Sequence, residues 1–214
     1  MTTIAYVEDH IGFRNILVKN LETIMGDCKI YVYDNGLDFT SRFPAQNYTP
    51  SIVLMDIRMP EMNGYETTKW IKKHHPTIPV MAFSDLEELR AMEAIIECGA
   101  DGYTSKASWH LATAINQIID GTGYYDDPEL FHRVKDRMKQ EVGKSKVGIN
   151  AISAAEMRVL RTLPTDKTPI ELAKQINMSV HTYNNHIKSI GDKLGKKTSK
   201  ALMKLAHSLG LIEM

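Results

Sequence analysis

Ser51-Ile52-Val53-Leu54-Met55-Asp56-Ile57-Arg58-Met59-Pro60 is the stretch whose reading decides the fold. An apolar run leads into a single aspartate, and a loop closed by Pro60 follows. A short continuous apolar run bounded by turn residues reads as a strand buried on both faces, the kind found in parallel sheets. Working outward, other β-rich runs end on a polar group in the same way. Ile4–Val7 ends on Glu8 and Asp9, Ile78–Phe83 on Ser84, and Gly102–Ser105 on Lys106. In an open parallel sheet, ligands bind outside the carboxyl ends of the strands. Acids, a hydroxyl and a lysine are therefore expected to converge on one crevice.

Strands are predicted over 3–8, 29–33, 51–55, 78–83 and 101–105. Between the first two, Phe13, Ile16, Leu17, Leu21 and Ile24 recur at helical spacing. Helices are also predicted over 64–74, 87–98 and 107–120, with a shorter one over 37–43. Five strands alternating with five helices predict an α/β doubly wound, five-stranded parallel sheet, a flavodoxin-like arrangement, over 1–121. Gly121-Thr-Gly-Tyr-Tyr-Asp-Asp-Pro128 breaks the pattern. A partly helical linker is predicted over 122–149, its helix spanning 128–142 and its flexible part 143–148. Residues 150–214 read as a small all-α domain of four helices, near 153–162, 168–176, 179–194 and 198–209.

Composition narrows the function classes. The chain has 214 residues, long enough for one large domain or two small ones, and 43% of them are hydrophobic, as in ordinary folded proteins. No apolar stretch approaches a membrane-spanning length. Met1-Thr-Thr-Ile-Ala has no basic stretch before an apolar core, so no signal peptide is expected and the expected location is cytoplasmic. Cys28 and Cys98 form no metal or redox motif and are expected to be reduced thiols. Net charge is zero by cancellation: residues 1–120 carry 10 Lys/Arg against 16 Asp/Glu, residues 121–150 carry 6 against 5, and residues 151–214 carry 10 against 5. An acidic half suits a metal cation, and a basic half suits a polyanion such as DNA.

An isolated aspartate after a strand is ordinarily a turn or cap residue. Four strands that each deliver a suitable group to one edge call for a common chemistry. Three carboxylates in one crevice repel one another unless a cation sits among them. Glu8, Asp9 and Asp56, with the backbone carbonyl of Arg58, would suit Mg²⁺, a hard cation that takes oxygen ligands and keeps several waters. Asp56 would be the nucleophile that forms an acyl phosphate. Lys106 would pair with one phosphoryl oxygen and the Ser84 hydroxyl would donate to another, which is the positioning and charge stabilisation that phosphoryl transfer needs.

In the tail, residues 169–176 and 180–194 read as two helices joined at Asn177-Met178, a helix-turn-helix. Ile170, Ala173 and Ile176 are expected inward on the first helix. On the second, capped by Ser179 and ended by Gly195, Tyr183, Ile187, Ile190 and Leu194 form the inner stripe. His181, Asn184, Asn185, Lys188 and Asp192 lie opposite. The second helix of such a pair can enter the major groove, where Asn reads adenine and Lys reads guanine. Thr182, Lys193, Lys196, Lys197 and Lys200 are expected on phosphates.

Val7-Glu-Asp-His10 with Phe13-Arg14, Met55-Asp-Ile-Arg-Met-Pro60 with Met62 and Gly64, Phe83-Ser84, and Tyr103-Thr-Ser-Lys106 resemble the receiver domain of bacterial response regulators over residues 3–120. That resemblance implies Asp56 as phospho-acceptor, Glu8 and Asp9 as Mg²⁺ holders, Ser84 and Lys106 as readers of the phosphoryl group, and Tyr103 as an aromatic switch. Ala107 stands where many receivers have proline. Ser153 with Glu156, Glu171-Leu-Ala173, Ser179-Val-His-Thr182, Asn185-His186 and Lys193-Leu-Gly195 resemble the LuxR/FixJ-type effector domain over 151–212, where the last helix would dimerise the tail on DNA. Many members have Lys or Arg at the place of Asn184. Together the two resemblances imply a two-component regulator of the NarL/FixJ type. The implied partners are a sensor histidine kinase, double-stranded DNA, a second copy of the chain when phosphorylated, and RNA polymerase, with no membrane and no enzymatic activity beyond phosphoryl acceptance and self-dephosphorylation. Leu86, two residues after Ser84, would slow hydrolytic water. Two rival readings are a regulator that binds DNA or protein without phosphorylation, and an aspartate-nucleophile phosphatase. Such phosphatases carry a second acid two residues after the nucleophile, where this chain has Arg58.

Overall fold

The computed structural model describes residues 1–85, 89–140 and 148–212. Leu86 therefore lies outside the described residues, as do the ends of two expected segments, 87–88 and 141–147. The chain divides into two compact units, Met1–Gln140 and Glu141–Met214.

In the first unit the strands are β1 (Thr2–Val7), β2 (Cys28–Tyr33), β3 (Ile52–Met55), β4 (Val80–Phe83), β5 (Gly102–Thr104) and β6 (Tyr124–Tyr125). They lie in the order β2-β1-β3-β4-β5-β6, each paired parallel to its neighbour. The helices are α1 (Ile11–Met25), α2 (Gly36–Arg42), α3 (Gly64–His74), α4 (Leu89–Glu97), α5 (Leu111–Ile119) and α6 (Pro128–Gln140).

Successive strand residues point to opposite faces, so continuous apolar runs serve two cores. Ile4, Tyr6, Ile52, Leu54, Met81 and Phe83 pack with Leu17 and Leu21 of α1 and with Leu111, Ile115 and Ile118 of α5. Ala5, Val7, Val53, Met55 and Val80 pack on the other face with Phe39, Phe43 and Ile71. The stripe expected on α1 is corrected by this arrangement: Leu17 and Leu21 are buried, whereas Ile16 is 62% and Ile24 65% exposed. A helix of 15 residues on a twisted sheet seats a narrow line of side chains, and Phe13, Val18 and Met25 complete that line.

Two expectations need revision. The sheet has six strands, because Tyr124 and Tyr125 pair parallel with Gly102 and Tyr103. The segment expected as a partly helical linker, 122–149, does hold its expected helix, α6, but belongs to the first unit through Gln140. Leu130 and Val134 of α6 bury against Ile96 of α4, with Met92, Tyr125 and Phe131 around them. A polar helix can still dock by one apolar edge, and here two side chains supply it.

The second unit contains α7 (Ala154–Leu160), α8 (Pro169–Gln175), α9 (Val180–Leu194) and α10 (Ser199–Ser208). Ser153 and Thr168 open α7 and α8 with capping boxes to Glu156 and Glu171. The turn between α8 and α9 puts Asn177 at φ 53°, a left-handed conformation that asparagine tolerates. Gly195 closes α9 at φ 68°. Tyr183, Ile190 and Leu194 are buried as the stripe requires, and Ile187 is half-buried. On α8 the inward pair is Leu172 and Ala173, and Ile170 is 66% exposed. With seven residues α8 presents one turn to its neighbours, so its first turn, which includes Ile170, projects outward.

Leu21→Ala is expected to cost about 2–5 kcal/mol, and Ile16→Ala on the same helix within about 0.5 kcal/mol of zero. Denaturant midpoints of the two variants check this.

Candidate functional site

The register of β1 against β3 pairs Val7 with Met55, so Glu8 and Asp56 leave the sheet side by side. β3 pairs with β4 through Met55 and Ala82, and β4 with β5 through Phe83 and Thr104. Ser84 and Lys106 therefore reach the same edge. Carboxylate oxygens of Glu8, Asp9 and Asp56 all lie within 4.8 Å of one another. Glu8, Asp56 and Ser84 are buried, and Asp9 is half-buried.

Lys106 meets this charge. Its Nζ stands 2.7 Å from Glu8 Oε2 and 3.3 Å from Asp56 Oδ1, and it also lies over the Phe13 ring at 4.8 Å from the centroid. Glu8 is held from three further directions. The Tyr6 hydroxyl donates to Oε2 at 2.9 Å, the His10 N–H to Oε1 at 3.2 Å, and Arg14 to the Glu8 carbonyl at 3.2 Å while pairing with Asp34. His10 also accepts the Phe13 N–H at 3.1 Å, so it caps α1 as a local structural residue.

These surroundings set the protonation balance. Burial pushes the Asp56 carboxyl up to about 6; Lys106 opposes this and Glu8 adds to it. Burial and the Glu8 charge also raise Asp9. Burial acts to lower Lys106, but Asp56 and Glu8 outweigh it and the ammonium is held more firmly than usual. Burial and Glu8 hold the Tyr6 phenol far above its ordinary range, so it remains a donor.

Asp56 Oδ1 and Ser84 Oγ are buried without a hydrogen-bond partner among the described residues. A buried polar atom left so costs about 1–3 kcal/mol, and an incoming oxyanion or cation would relieve it. Three clustered carboxylates that one ammonium cannot balance fit a hard divalent cation. Arg58 is exposed on the loop after Asp56. That loop needs Gly64, because a Cβ there would stand 2.2 Å from the Asp56 carbonyl oxygen. Tyr103 is buried and donates through its hydroxyl to the Ser84 carbonyl at 3.2 Å. Sequence pattern alone does not mark Tyr6, Phe13 and Arg14 as supports of Glu8 and Lys106. Tyr6 has no sequence signal beyond its place two residues before Glu8, where strand alternation puts both on one face.

On α9, His181, Thr182, Asn184, Asn185 and Lys188 are exposed, as a groove-facing surface requires. His181 Nε2 lies 3.1 Å from Asn185 Nδ2, and Thr182 donates its N–H to the capping Ser179 hydroxyl at 3.1 Å. Lys197 and Lys200 are exposed and Lys196 is half-buried. Lys193 departs from its expected place on phosphate. Its Nζ is held by Glu156 at 2.6 and 2.7 Å, and Ser189 donates to the same carboxylate at 2.6 Å. Glu156 is buried, so the lysine is needed to balance its charge. Burial tends to raise the Glu156 carboxyl, but Lys193 and the Ser153 cap outweigh it and take it down to about 2. Among the described residues, no helix is long and apolar enough to cross a membrane.

Comparison with known proteins agrees with this geometry. The family model described as the response regulator receiver domain matches residues 4–116. The transcriptional regulatory protein YdfI of Bacillus subtilis is 28% identical over 99% of this chain and 98% of its own. The transcriptional activator protein ExaE of Pseudomonas putida is 25% identical over 99% and 98%. A solved structure of RcsB from Salmonella enterica serovar Typhimurium, bound to promoter rprA in the presence of phosphomimetic BeF3-, covers 95% of this chain and 96% of its own at 20% identity with a TM-score of 0.61.

A carboxylate depressed by folding stabilises the fold above its unfolded value, and that contribution is lost as pH falls through the folded value. The Glu156 contribution is therefore expected to be complete above 4.5 and to disappear toward 2. Lys193→Ala should move the acid unfolding of the second unit to higher pH, as read by far-UV circular dichroism.

Proposed function

The chain belongs to the response regulator receiver family, and from that premise we propose that it is a phosphorylation-switched, DNA-binding transcriptional regulator whose phosphoryl group is received on Asp56 from a sensor histidine kinase. The observation that carries this reading is the Asp56 carboxylate, buried at the strand edge with two further acids and a lysine. Glu8, Asp9 and Asp56, with the Arg58 carbonyl, would hold Mg²⁺. Mg²⁺, when bound, supplies positive charge that offsets the carboxylates and the oxygens of the incoming phosphoryl group.

Asp56 attacks phosphorus: an oxygen–phosphorus bond forms to the carboxylate, and the bond to the donor histidine nitrogen breaks. Lys106, held now between Glu8 and Asp56, is within reach of a phosphoryl oxygen on Asp56. The Ser84 hydroxyl, buried without a partner, gains an acceptor there. A shift of Ser84 moves the carbonyl that Tyr103 holds, and that hydrogen bond ties the end of β4 to β5. The switch is then a population shift between two arrangements of this surface. Covalent chemistry ends at phosphoryl acceptance and slow release, because Arg58 stands where a phosphatase of this type carries its acid.

The second unit would read a two-fold DNA site as a dimer, with α9 in the major groove and α10 between protomers. The relatives YdfI, a transcriptional regulatory protein, and ExaE, a transcriptional activator protein, and the promoter-bound RcsB structure support this assignment. His181, Asn184, Asn185 and Lys188 would face bases; Thr182, Lys196 and Lys197 would face phosphates. RNA polymerase is a proposed partner at the promoter, and a cytoplasmic location follows from that partnership.

Incubation with acetyl phosphate and Mg²⁺ is expected to add one phosphoryl group to wild type and none to Asp56→Ala by mass spectrometry. Selection of DNA from a random pool should enrich a two-fold site more strongly with the donor than without it. Equal enrichment for wild type and Asp56→Ala would favour a regulator that ignores phosphorylation. Lys106→Ala should still take up phosphate, more slowly than wild type, but lose donor-dependent dimerisation, measured by sedimentation. Lys188→Ala should relax preference at one base position by about 1–3 kcal/mol, as read from competition binding.

A further inference from the structure

Asp126 stands between β6 and α6, beyond the four strands that deliver the pocket residues. Its backbone N–H donates to the Tyr103 carbonyl at 3.2 Å. Its carboxylate accepts the buried Thr104 hydroxyl at 3.0 and 3.2 Å and the Ser105 N–H at 2.8 Å. Lys106 is the next residue. The turn continues with Ala107 donating to the Ser105 hydroxyl at 3.1 Å and Ser108 to the Ser105 carbonyl at 2.9 Å. Three consecutive residues that lead into Lys106 are thus gripped by one aspartate from a distant part of the sequence. A charged acceptor makes such bonds roughly twice as strong as neutral ones.

The same segment is tied elsewhere. Asp127 Oδ1 accepts the Leu130 N–H at 2.9 Å at the start of α6, and Leu130 and Val134 bury against Ile96 of α4. Tyr125 donates its hydroxyl to the Ala100 carbonyl at 2.7 Å, away from the pocket edge. β6 therefore has anchors that do not depend on the Asp126 carboxylate. Asp126 is itself exposed, so shortening its side chain opens no cavity.

We propose that Asp126 is a positioning residue for Lys106: it fixes the Thr104–Ser105 turn so that the ammonium reaches Glu8 and Asp56, and it couples that turn to the docking of α6 on α4. The proposal rests on the reading of Asp56 as phosphoryl acceptor. A lysine loosened at its root would span more positions than the pocket can use, and transfer would slow at saturating donor, because misplacement by about 1 Å can cost about 10²-fold in rate. The coupling runs both ways: a phosphoryl group that draws Lys106 away from Glu8 also strains the turn that Asp126 holds.

The full chain with Mg²⁺ and saturating acetyl phosphate tests this. The phosphoryl group passes to an Asp56 oxygen, acetate leaves, and uptake is followed by mass spectrometry. Asp126→Ala is expected to be about tenfold slower or more. Asp126→Asn, whose amide oxygen keeps one acceptor but no charge, is expected to fall between. Tyr125→Phe, which removes one of the other anchors of β6, is expected to match wild type. Beryllofluoride, a phosphoryl mimic, is expected to change amide hydrogen exchange over 124–134 in wild type and not in Asp126→Ala. Wild-type uptake by Asp126→Ala, equal slowing by Tyr125→Phe, or exchange over 124–134 in wild type that ignores beryllofluoride would each overturn the proposal. Absence of uptake in wild type would overturn the acceptor reading and this inference with it, a result distinct from the others because every variant would then be silent.

Discussion

Lys106 placed between two buried carboxylates is the contact on which the pocket depends. Glu8 and Asp56 leave adjacent strands in register, and the oxygens of Asp9 close the cluster to within 4.8 Å. Charges this close in a poorly hydrated place repel strongly and are costly to bury. One ammonium at 2.7 and 3.3 Å answers both acids, and the Tyr6 hydroxyl and His10 N–H take up more of the Glu8 charge. The balance is uneven. Glu8 is surrounded by donors, whereas Asp56 Oδ1 has the lysine charge nearby and no hydrogen bond. The less satisfied carboxylate is the one expected to react, and Lys106 is already within one short movement of a group bound there.

The pocket is small, and its influence depends on what grips the strands that feed it. Tyr103 reaches toward Ser84 through its hydroxyl while its backbone carbonyl is held by Asp126. Residues 122–140 thus extend the receiver rather than trail from it. β6 completes the sheet, and α6 covers α4 through Leu130 and Val134. A segment attached at both the lysine turn and α4 feels any rearrangement that involves the two together.

The second unit shows how a charge can look functional and be structural. Lys193 lies on the polar helix of a basic domain, where a phosphate contact is the natural expectation. Glu156 needs a partner because the cap that starts α7 buries its carboxylate, and Lys193 with Ser189 provides one. The exposed positions His181, Asn184, Asn185 and Lys188 remain on the open face of α9. His181 meets Asn185 there, so the asparagine amide presents itself to solvent with one side already engaged.

Amino-acid order by itself determined the parallel sheet, the ends of its strands and the helix-turn-helix, because apolar period, breakers and caps are local properties of the chain. It likewise placed Glu8, Asp9, Asp56, Ser84 and Lys106 at one edge, since strand ends in a parallel sheet share a side. It could not tell Ile16 from Leu21, or Ile170 from Leu172, because helical spacing marks a candidate stripe and only the neighbouring surface selects which part is covered. The sixth strand of two residues was too short to leave a period. The partners of Lys193 and Asp126 lie 37 and 22 residues away. Tertiary structure alone decided those pairings, because a charge or hydroxyl in a folded chain bonds with whatever packing brings within about 3 Å, and no local pattern records that distance.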